Sequence, residues 1–229
     1  MLNKKKSFSF IVIFALLAMV LIGMIIAFSG GETADESGSP MRMSDSQNAP
    51  DMQPVQNMID ITDYADHVDE IEVRRKYETL TRRLIEKQFT ITTMESCTSG
   101  QVASLITDTE GASAIIKGAF VTYSNDAKIL QGVPAAVIDK YGVYSGETVA
   151  AMAISCRNTF NADFGVGVTG SFRNVDPNNA DSIPGDVFFS IATDTETLCY
   201  HCRIPVQCSR LQYKLYVANM IADMLLQMI

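Results

Sequence analysis

Short runs of β-branched and aromatic residues alternate with helical patterns from about residue 66 to the C-terminus. Apolar residues recur with helical spacing over 66–87, and strand-like runs follow at 89–93, 115–123 and 164–168. Strands that alternate with helices are typical of a sheet covered by helices on both faces. The pattern therefore predicts an α/β fold, a three-layer α/β/α sandwich with a mixed sheet.

Capping residues define several of the predicted helices. Ser145 precedes a helix that runs to about Phe160, and Ser209 opens a capping box for the last helix. A short helix is predicted at 101–107, and two further strands at 185–193 and 197–206.

The N-terminus carries an uncharged run from Phe8 to Phe28, preceded by three lysines. This run is long enough to cross the hydrocarbon core of a bilayer, which takes about 20 residues. We expect residues 1–29 to form a transmembrane or signal-anchor helix of a single-pass membrane protein with a short cytoplasmic N-terminus, because lysines stay inside. Translation from Met41 or Met43 would instead give a cytoplasmic protein.

The composition separates a linker from a globular domain. Residues 30–62 are rich in Gly, Ser, Asp, Asn and Pro, which predicts a disordered linker before a domain at 63–229. At 47% hydrophobic residues, the chain can fill one core of ordinary size. Its net charge of −8 argues against a nucleic-acid partner and favours a small-molecule substrate.

Polar segments follow three of the predicted strands, and two of them carry groups suited to catalysis. Segments 95–100 and 122–128 each lie where a strand gives way to a helix. A serine hydroxyl is a poor nucleophile until a base removes its proton, and a buried lysine can be that base. We therefore predict Ser96 as nucleophile and Lys128 as base, with the Tyr123 phenol assisting proton transfer.

Neighbouring groups are suited to binding a substrate. The Thr98 hydroxyl and the Asn125 amide can donate hydrogen bonds to an amide or carboxylate. Backbone amides after Ser96, at the start of the predicted helix, can stabilise a developing oxyanion.

Two other arrangements are weaker hypotheses. Cys199, His201, Cys202 and Cys208 could be drawn as a metal cluster, but Cys199 and Cys202 fall on opposite faces of a predicted strand. Cys97 as nucleophile with His201 as base is also a poorer hypothesis than the Ser96 mechanism. We therefore predict neither a metal nor a cofactor.

The stretch from Thr92 to Gly170 resembles the CinA C-terminal family, also known as nicotinamide mononucleotide deamidases or nicotinamide-nucleotide amidohydrolases. The family's Glu-Ser-Cys-Thr-Gly-Gly corresponds to 95–100, and its Gly-x-Phe-Val-Thr-Tyr-Ser-Asn-x-x-Lys to 118–128. Gly-Val-Pro at 132–134 and Gly-Val-Tyr-Ser at 142–145 follow in the family's order.

The resemblance implies an enzyme that hydrolyses the carboxamide of nicotinamide mononucleotide, a pyridine nucleotide, to the acid and ammonia. It implies Ser96 as nucleophile, Lys128 as base and Tyr123 as assistant, with no metal. Thr169 and Gly170 match the family's substrate-site turn. The family commonly forms dimers, so a homodimer is expected.

Arg210 matches a basic residue of the family and is chemically suited to a nucleotide phosphate. At 171–183 a polar, turn-rich loop replaces the family's Ile-Ala-Gly-Pro segment, which leaves the preferred amide open. Arg173 in that loop is a further candidate phosphate contact. Ser99 stands in place of the first glycine of the family's pair.

The alternative function is a membrane-tethered, non-catalytic module that keeps the fold and binds a nucleotide or a protein. The three groups of the catalytic hypothesis, Ser96, Tyr123 and Lys128, are all present, which favours the enzyme.

Overall fold

The computed structural model describes residues 55, 57–62, 64–65, 67–179 and 182–229. The strands of this part are β1 (Met58–Ile61), β2 (Ile91–Glu95), β3 (Ile116–Val121), β4 (Phe164–Gly170), β5 (Asp186–Ala192) and β6 (Thr197–Arg203). Its α-helices are α1 (Glu70–Lys87), α2 (Gln101–Thr107), α3 (Asn125–Leu130), α4 (Ala135–Tyr141), α5 (Gly146–Phe160) and α6 (Arg210–Met228), and a 3₁₀ turn covers Ala112–Ala114.

The strands form one sheet in the order β1-β6-β5-β4-β2-β3. Strand β5 runs antiparallel to both of its neighbours, and the other neighbouring pairs are parallel. The sheet is therefore mixed, as the sequence predicts. Because β2, β3 and β4 are parallel, the segments that follow them emerge at the same edge of the sheet.

Helices cover both faces of the sheet. On one face α1, α2 and α6 pack together over a core that includes Tyr77, Leu80 and Leu215. On the other face α4 and α5 pack around a smaller core that includes Met94 and Met152. The predicted α/β/α layering is confirmed for the described residues.

Two glycines of β4 let α5 lie directly on the sheet. A Cβ atom at Gly165 would collide with the Ala153 carbonyl oxygen, and one at Gly167 would collide with that of Val149. Larger residues at these positions would push the helix away from β4, so the Gly-Val-Gly pattern sets the distance between the two layers.

Most of the predicted boundaries agree with the structure. Helix α2 has the predicted bounds. The Ser145 hydroxyl caps α5 by accepting a hydrogen bond from the Thr148 amide at 3.1 Å. Ser209 caps α6 in the same way through the Gln212 amide at 3.2 Å.

Strand β1 corrects the predicted linker. Residues 58–61, placed within the disordered segment 30–62, pair in parallel with β6, and Met58 packs against Gly146 at the start of α5. Its backbone groups bond to a strand distant in sequence, which a local pattern cannot reveal. Helix α4 was also not predicted; it is short, and burial of Val137 and Ile138 secures it.

The predicted membrane helix at 1–29 and residues 30–54 of the linker lie outside the described residues. Within the part that the structure describes, no helix combines the length and the apolar character needed to span a bilayer.

Candidate active site

Ser96 follows directly on the last residue of β2. Its backbone amide donates to the Val168 carbonyl of β4 at 3.0 Å, and its side chain is almost fully buried. The Thr122 amide, just after β3, donates to the Glu95 carbonyl at 2.8 Å. These two bonds fix the chain on either side of Ser96 to the neighbouring strands.

Lys128 brings an amine to the Ser96 hydroxyl. Helix α3 begins after Ser124, whose hydroxyl accepts from the Ala127 amide at 3.1 Å. The Lys128 side chain is 1% exposed, and its Nζ donates to Ser96 Oγ at 3.1 Å and to the Thr122 carbonyl at 2.9 Å. The predicted nucleophile and base are thus in direct contact.

The environment of Lys128 favours the uncharged amine. Burial lowers its pKa to about 8, against the opposing influence of Cys97 and Asp176. A lysine with this pKa has a substantial neutral fraction near neutral pH, which is the form that can accept a proton.

Glu95 has a structural role that sequence reasoning missed. Its side chain is fully buried and accepts from the amides of Val102 and Ala103, at 3.2 and 2.9 Å, in the first turn of α2. These helix amides are therefore engaged within the protein. An oxyanion bound at this turn would instead accept hydrogen bonds from the earlier backbone amides, those of Cys97 and Thr98.

The turn between Ser96 and α2 uses left-handed backbone at two successive residues. Ser99 has φ 55° and Gly100 has φ 86°. Ser99 thus adopts the left-handed backbone conformation that glycine adopts without strain, and for a serine this costs about 1 kcal/mol.

A cavity of about 620 Å³ opens over Ser96. Both family-matched segments and the loop after β4 contribute to its wall. The lining residues are Ser96, Cys97, Tyr123, Ser124, Asn125, Asp126, Tyr144, Gly170, Ser171, Phe172, Asn174, Val175, Asp176, Pro177, Asn178, Asn179 and Arg210.

Tyr123 and Arg210 meet at the rim of this cavity. The phenol of Tyr123, a residue that is 62% exposed, accepts a hydrogen bond from the Arg210 guanidinium at 3.0 Å. The guanidinium also lies over the Phe172 ring, 5.3 Å from its centroid. These contacts hold Arg210, the predicted phosphate-binding residue, beside Tyr123, which is predicted to assist proton transfer.

The loop after β4 forms another wall, held by hydrogen bonds to two other segments. Asn125 donates through Nδ2 to Asn179 Oδ1 at 3.0 Å. Asp176 Oδ2 accepts from the Tyr144 hydroxyl at 2.7 Å and from Asn179 Nδ2 at 2.6 Å. Sequence reasoning did not single out Tyr144 or Asp176, although both lie in segments it had noted, the Gly-Val-Tyr-Ser motif and the polar loop.

Three predicted binding residues are not brought to the cavity wall. Thr98 and Thr169 are fully buried, and the Thr169 hydroxyl donates to the Val143 carbonyl at 3.1 Å. Arg173 is exposed and outside the lining. Asn125, Gly170 and Arg210 do line the cavity, so substrate contact is open to these three without rearrangement.

The pairing of Cys97 with His201 is wrong. Burial raises the pKa of the Cys97 thiol to about 12, so the thiolate is scarce at neutral pH. His201 lies on β6, three strands from β2 or about 14 Å away across the sheet, with its Nδ1 2.9 Å from Asp60 Oδ1.

Two cysteines of the hypothetical metal cluster, Cys199 and Cys202, lie on opposite faces of β6. Cys199 Sγ is 3.7 Å from the Gly146 carbonyl of α5, whereas Cys202 packs in the core beneath α1 and α6. The predicted opposite orientation of these two cysteines is confirmed.

Comparison with known sequences identifies the family. The sequence profile of the CinA C-terminal domain matches residues 74–229. The chain belongs to this family. It is 36% identical over 124 residues to a CinA-like protein of Shewanella denitrificans, a match that covers 54% of this chain and 29% of the relative. It is 38% identical over 117 residues to a CinA-like protein of Flavobacterium psychrophilum, and this match covers 50% of this chain and 27% of the relative.

The CinA-family domain also matches solved structures. The competence/damage inducible protein CihA from Agrobacterium tumefaciens is 29% identical, with a TM-score of 0.58 over 66% of this chain and 94% of that one. The competence or damage-inducible protein from Enterobacter asburiae, 23% identical, shares the fold with a TM-score of 0.61 over 68% and 96%. The curated relatives are longer proteins, and the match spans less than a third of their length.

Proposed function

We propose that this CinA-family domain is a serine amidohydrolase that converts the carboxamide of a pyridine nucleotide, nicotinamide mononucleotide or a close analogue, to the acid and ammonia. The observation that carries the proposal is the 3.1 Å contact between the buried Lys128 amine and the Ser96 hydroxyl at the floor of an open cavity. The choice of substrate comes from the motifs shared with the deamidase family.

The first step forms a bond between Ser96 and the substrate. In its neutral form the Lys128 amine accepts the hydroxyl proton through the same contact, with donor and acceptor exchanged. Ser96 Oγ then adds to the carboxamide carbon and gives a tetrahedral intermediate. The Thr122 carbonyl, 2.9 Å from Nζ, holds the amine in line during this transfer.

The second step breaks the carbon–nitrogen bond. The Lys128 ammonium returns the proton to the leaving nitrogen, which departs as ammonia and leaves an ester on Ser96. Water, deprotonated by the same amine, hydrolyses this ester to the acid and restores the serine. Because the Tyr123 oxygen already accepts from Arg210, its own hydrogen is left to donate to the substrate.

The size of the cavity supports a mononucleotide substrate. Its volume of about 620 Å³ lies within the range of small-molecule sites, about 300–1,000 Å³. Arg210 supplies a guanidinium at the rim, where it can form paired hydrogen bonds with a phosphate.

Ammonia release from nicotinamide mononucleotide by the full chain tests the proposal, with the Ser96→Ala variant beside it. We expect release from the unaltered chain and a loss of at least a thousandfold in the variant. Ser124→Ala is the matched control, because it removes another hydroxyl that lines the cavity and costs only the α3 cap, about 1 kcal/mol of stability. A folded chain that releases no ammonia would favour the non-catalytic binding module.

Membrane attachment and self-association are separate parts of the proposal. The proposed membrane attachment is based on the sequence of residues 1–29, and the proposed homodimer is based on the dimers that the family commonly forms. Membrane fractionation of the full chain and sedimentation of the detergent-solubilised protein test the two predictions independently of activity.

A further inference from the structure

The loop that distinguishes this chain from the family's usual pattern places a carboxylate in the cavity. Asp176 lines the same space as Ser96. The loop contributes much of one wall, whereas the family's Ile-Ala-Gly-Pro segment has no ionisable side chain to offer there.

The Asp176 carboxylate is held in place by three donors. Oδ2 accepts from the Tyr144 hydroxyl at 2.7 Å and from Asn179 Nδ2 at 2.6 Å, and Oδ1 accepts from the Asn178 amide at 3.0 Å. Although partial burial raises its pKa, the hydrogen bonds from Asn179, Asn178 and Tyr144, together with Lys128, hold that pKa below its usual value. The group is therefore ionised at neutral pH.

Asp176 and Ser96 line the same cavity, and the Lys128 amine contacts the Ser96 hydroxyl beneath it. The charges of Asp176 and Lys128 each shift the other's pKa toward the ionised form. The guanidinium of Arg210, the cation among the lining residues, is held at the rim by Tyr123 and Phe172. The cavity thus has an anion on its loop wall as well as a cation at its rim.

We propose that Asp176 is a specificity-determining residue that selects amides attached to a positively charged ring. The inference rests on the proposed function. In a nicotinamide ring the charged nitrogen is only three bonds from the amide carbon, so a substrate bound for attack by Ser96 brings its cation into the cavity that Asp176 lines. Hydrolysis turns the amide into a carboxylate, and repulsion from Asp176 then favours release of the product.

Binding without turnover tests this selectivity directly. In a Ser96→Ala chain, calorimetry gives dissociation constants for nicotinamide mononucleotide and for its reduced form, which has the same carboxamide and phosphate but an uncharged ring. We expect the charged ring to bind about tenfold more tightly, the effect of one partly screened charge pair. Adding Asp176→Asn should abolish that preference.

Two further variants separate charge from loop geometry. Asp126→Asn removes an exposed carboxylate of helix α3 that also lines the cavity, and it should keep the preference. Tyr144→Phe removes one donor to Asp176 but keeps its charge, so both nucleotides should weaken together while their ratio stays.

The outcomes distinguish failure of the role of Asp176 from failure of the proposed hydrolysis. A preference that survives Asp176→Asn, or that disappears equally in Tyr144→Phe, overturns the role of the charge, as does failure to bind either nucleotide. Ring-charge preference in a chain that releases no ammonia would contradict only the proposed hydrolysis.

Discussion

The two walls of the cavity are built differently. The wall that carries Ser96 and Lys128 comes from the segments that follow β2 and β3. Both residues are buried, and Ser96 faces the cavity. The facing loop, 171–179, is largely exposed, with Val175 at 53%, and side-chain hydrogen bonds from Asn125 and Tyr144 fasten it to the rest of the site.

Under the proposed function, this difference separates the residues that perform the chemistry from those that select the substrate. A proton transfer between hydroxyl and amine needs fixed geometry and a desolvated base, which buried strand ends supply. Substrate choice depends on groups at the cavity surface, which a loop can change without disturbing the sheet. The motifs at 95–100 and 118–128 accordingly lie on the first wall, and the loop that replaces the family's Ile-Ala-Gly-Pro segment lies on the second.

Replacing Lys128, the proposed base, should have the largest effect on activity. Lys128→Met keeps most of the side-chain volume but removes the amine, so kcat for ammonia release should fall about a thousandfold. Stability should change little, because removal of a costly buried amine offsets the loss of its two hydrogen bonds. Ammonia release and thermal unfolding measure the two effects.

Lys117→Met is the control for that substitution, since Lys117 is exposed on β3. It should leave both activity and stability near their original values. Retained activity in Lys128→Met would show that another group is the base.

A substitution in β4, the strand beside β2, should cost more stability than one in the loop 171–179. A Cβ atom at Gly167 would collide with the Val149 carbonyl oxygen, so Gly167→Ala should lower the free energy of unfolding by about 3 kcal/mol. Val175→Ala, at an exposed loop position, should cost less than about 0.5 kcal/mol. Urea unfolding measures both, and equal losses would contradict the contrast between the walls.

Removing a hydrogen bond that fastens the loop 171–179 should have a smaller effect on stability and activity. Tyr144→Phe removes the hydrogen bond to Asp176, so we expect a loss of about 1 kcal/mol in stability and a KM for the nucleotide raised about threefold, with kcat unchanged. Steady-state kinetics and urea unfolding report the outcome.

Tyr141→Phe is the matched control. The Tyr141 hydroxyl is buried without a hydrogen-bond partner among the described residues, so its removal should be neutral or slightly stabilising. A fall in kcat rather than a rise in KM for Tyr144→Phe would tie the loop to the chemistry itself.

Local sequence patterns predicted the elements whose signals are local. Ser145 and Ser209 cap the helices that follow them, and the apolar spacing of α1 matches its buried face. Strand β1 escaped prediction because its four residues lie in a polar segment and form a strand through pairing with β6. The strand order likewise depends on contacts distant in sequence.

The candidate site was predictable to the same extent. Parallel strands end at one edge of a sheet, so Ser96 and Lys128 could be expected to meet. The cap that Glu95 provides, the bond from Thr169 to Val143 and the position of Asp176 all depend on backbone paths after the strands end. The composition of the polar loop indicated turns but could not place its carboxylate.

The pH dependence of kcat/KM for ammonia release tests most directly whether the buried Lys128 amine activates Ser96. A lysine base must be uncharged, and burial lowers the pKa of Lys128 to about 8, so the rate should rise about tenfold per pH unit below that value and level off above it. A rate independent of pH between about 6 and 9, or one still rising toward the ordinary lysine value of 10.5, would show that Lys128 is not the base.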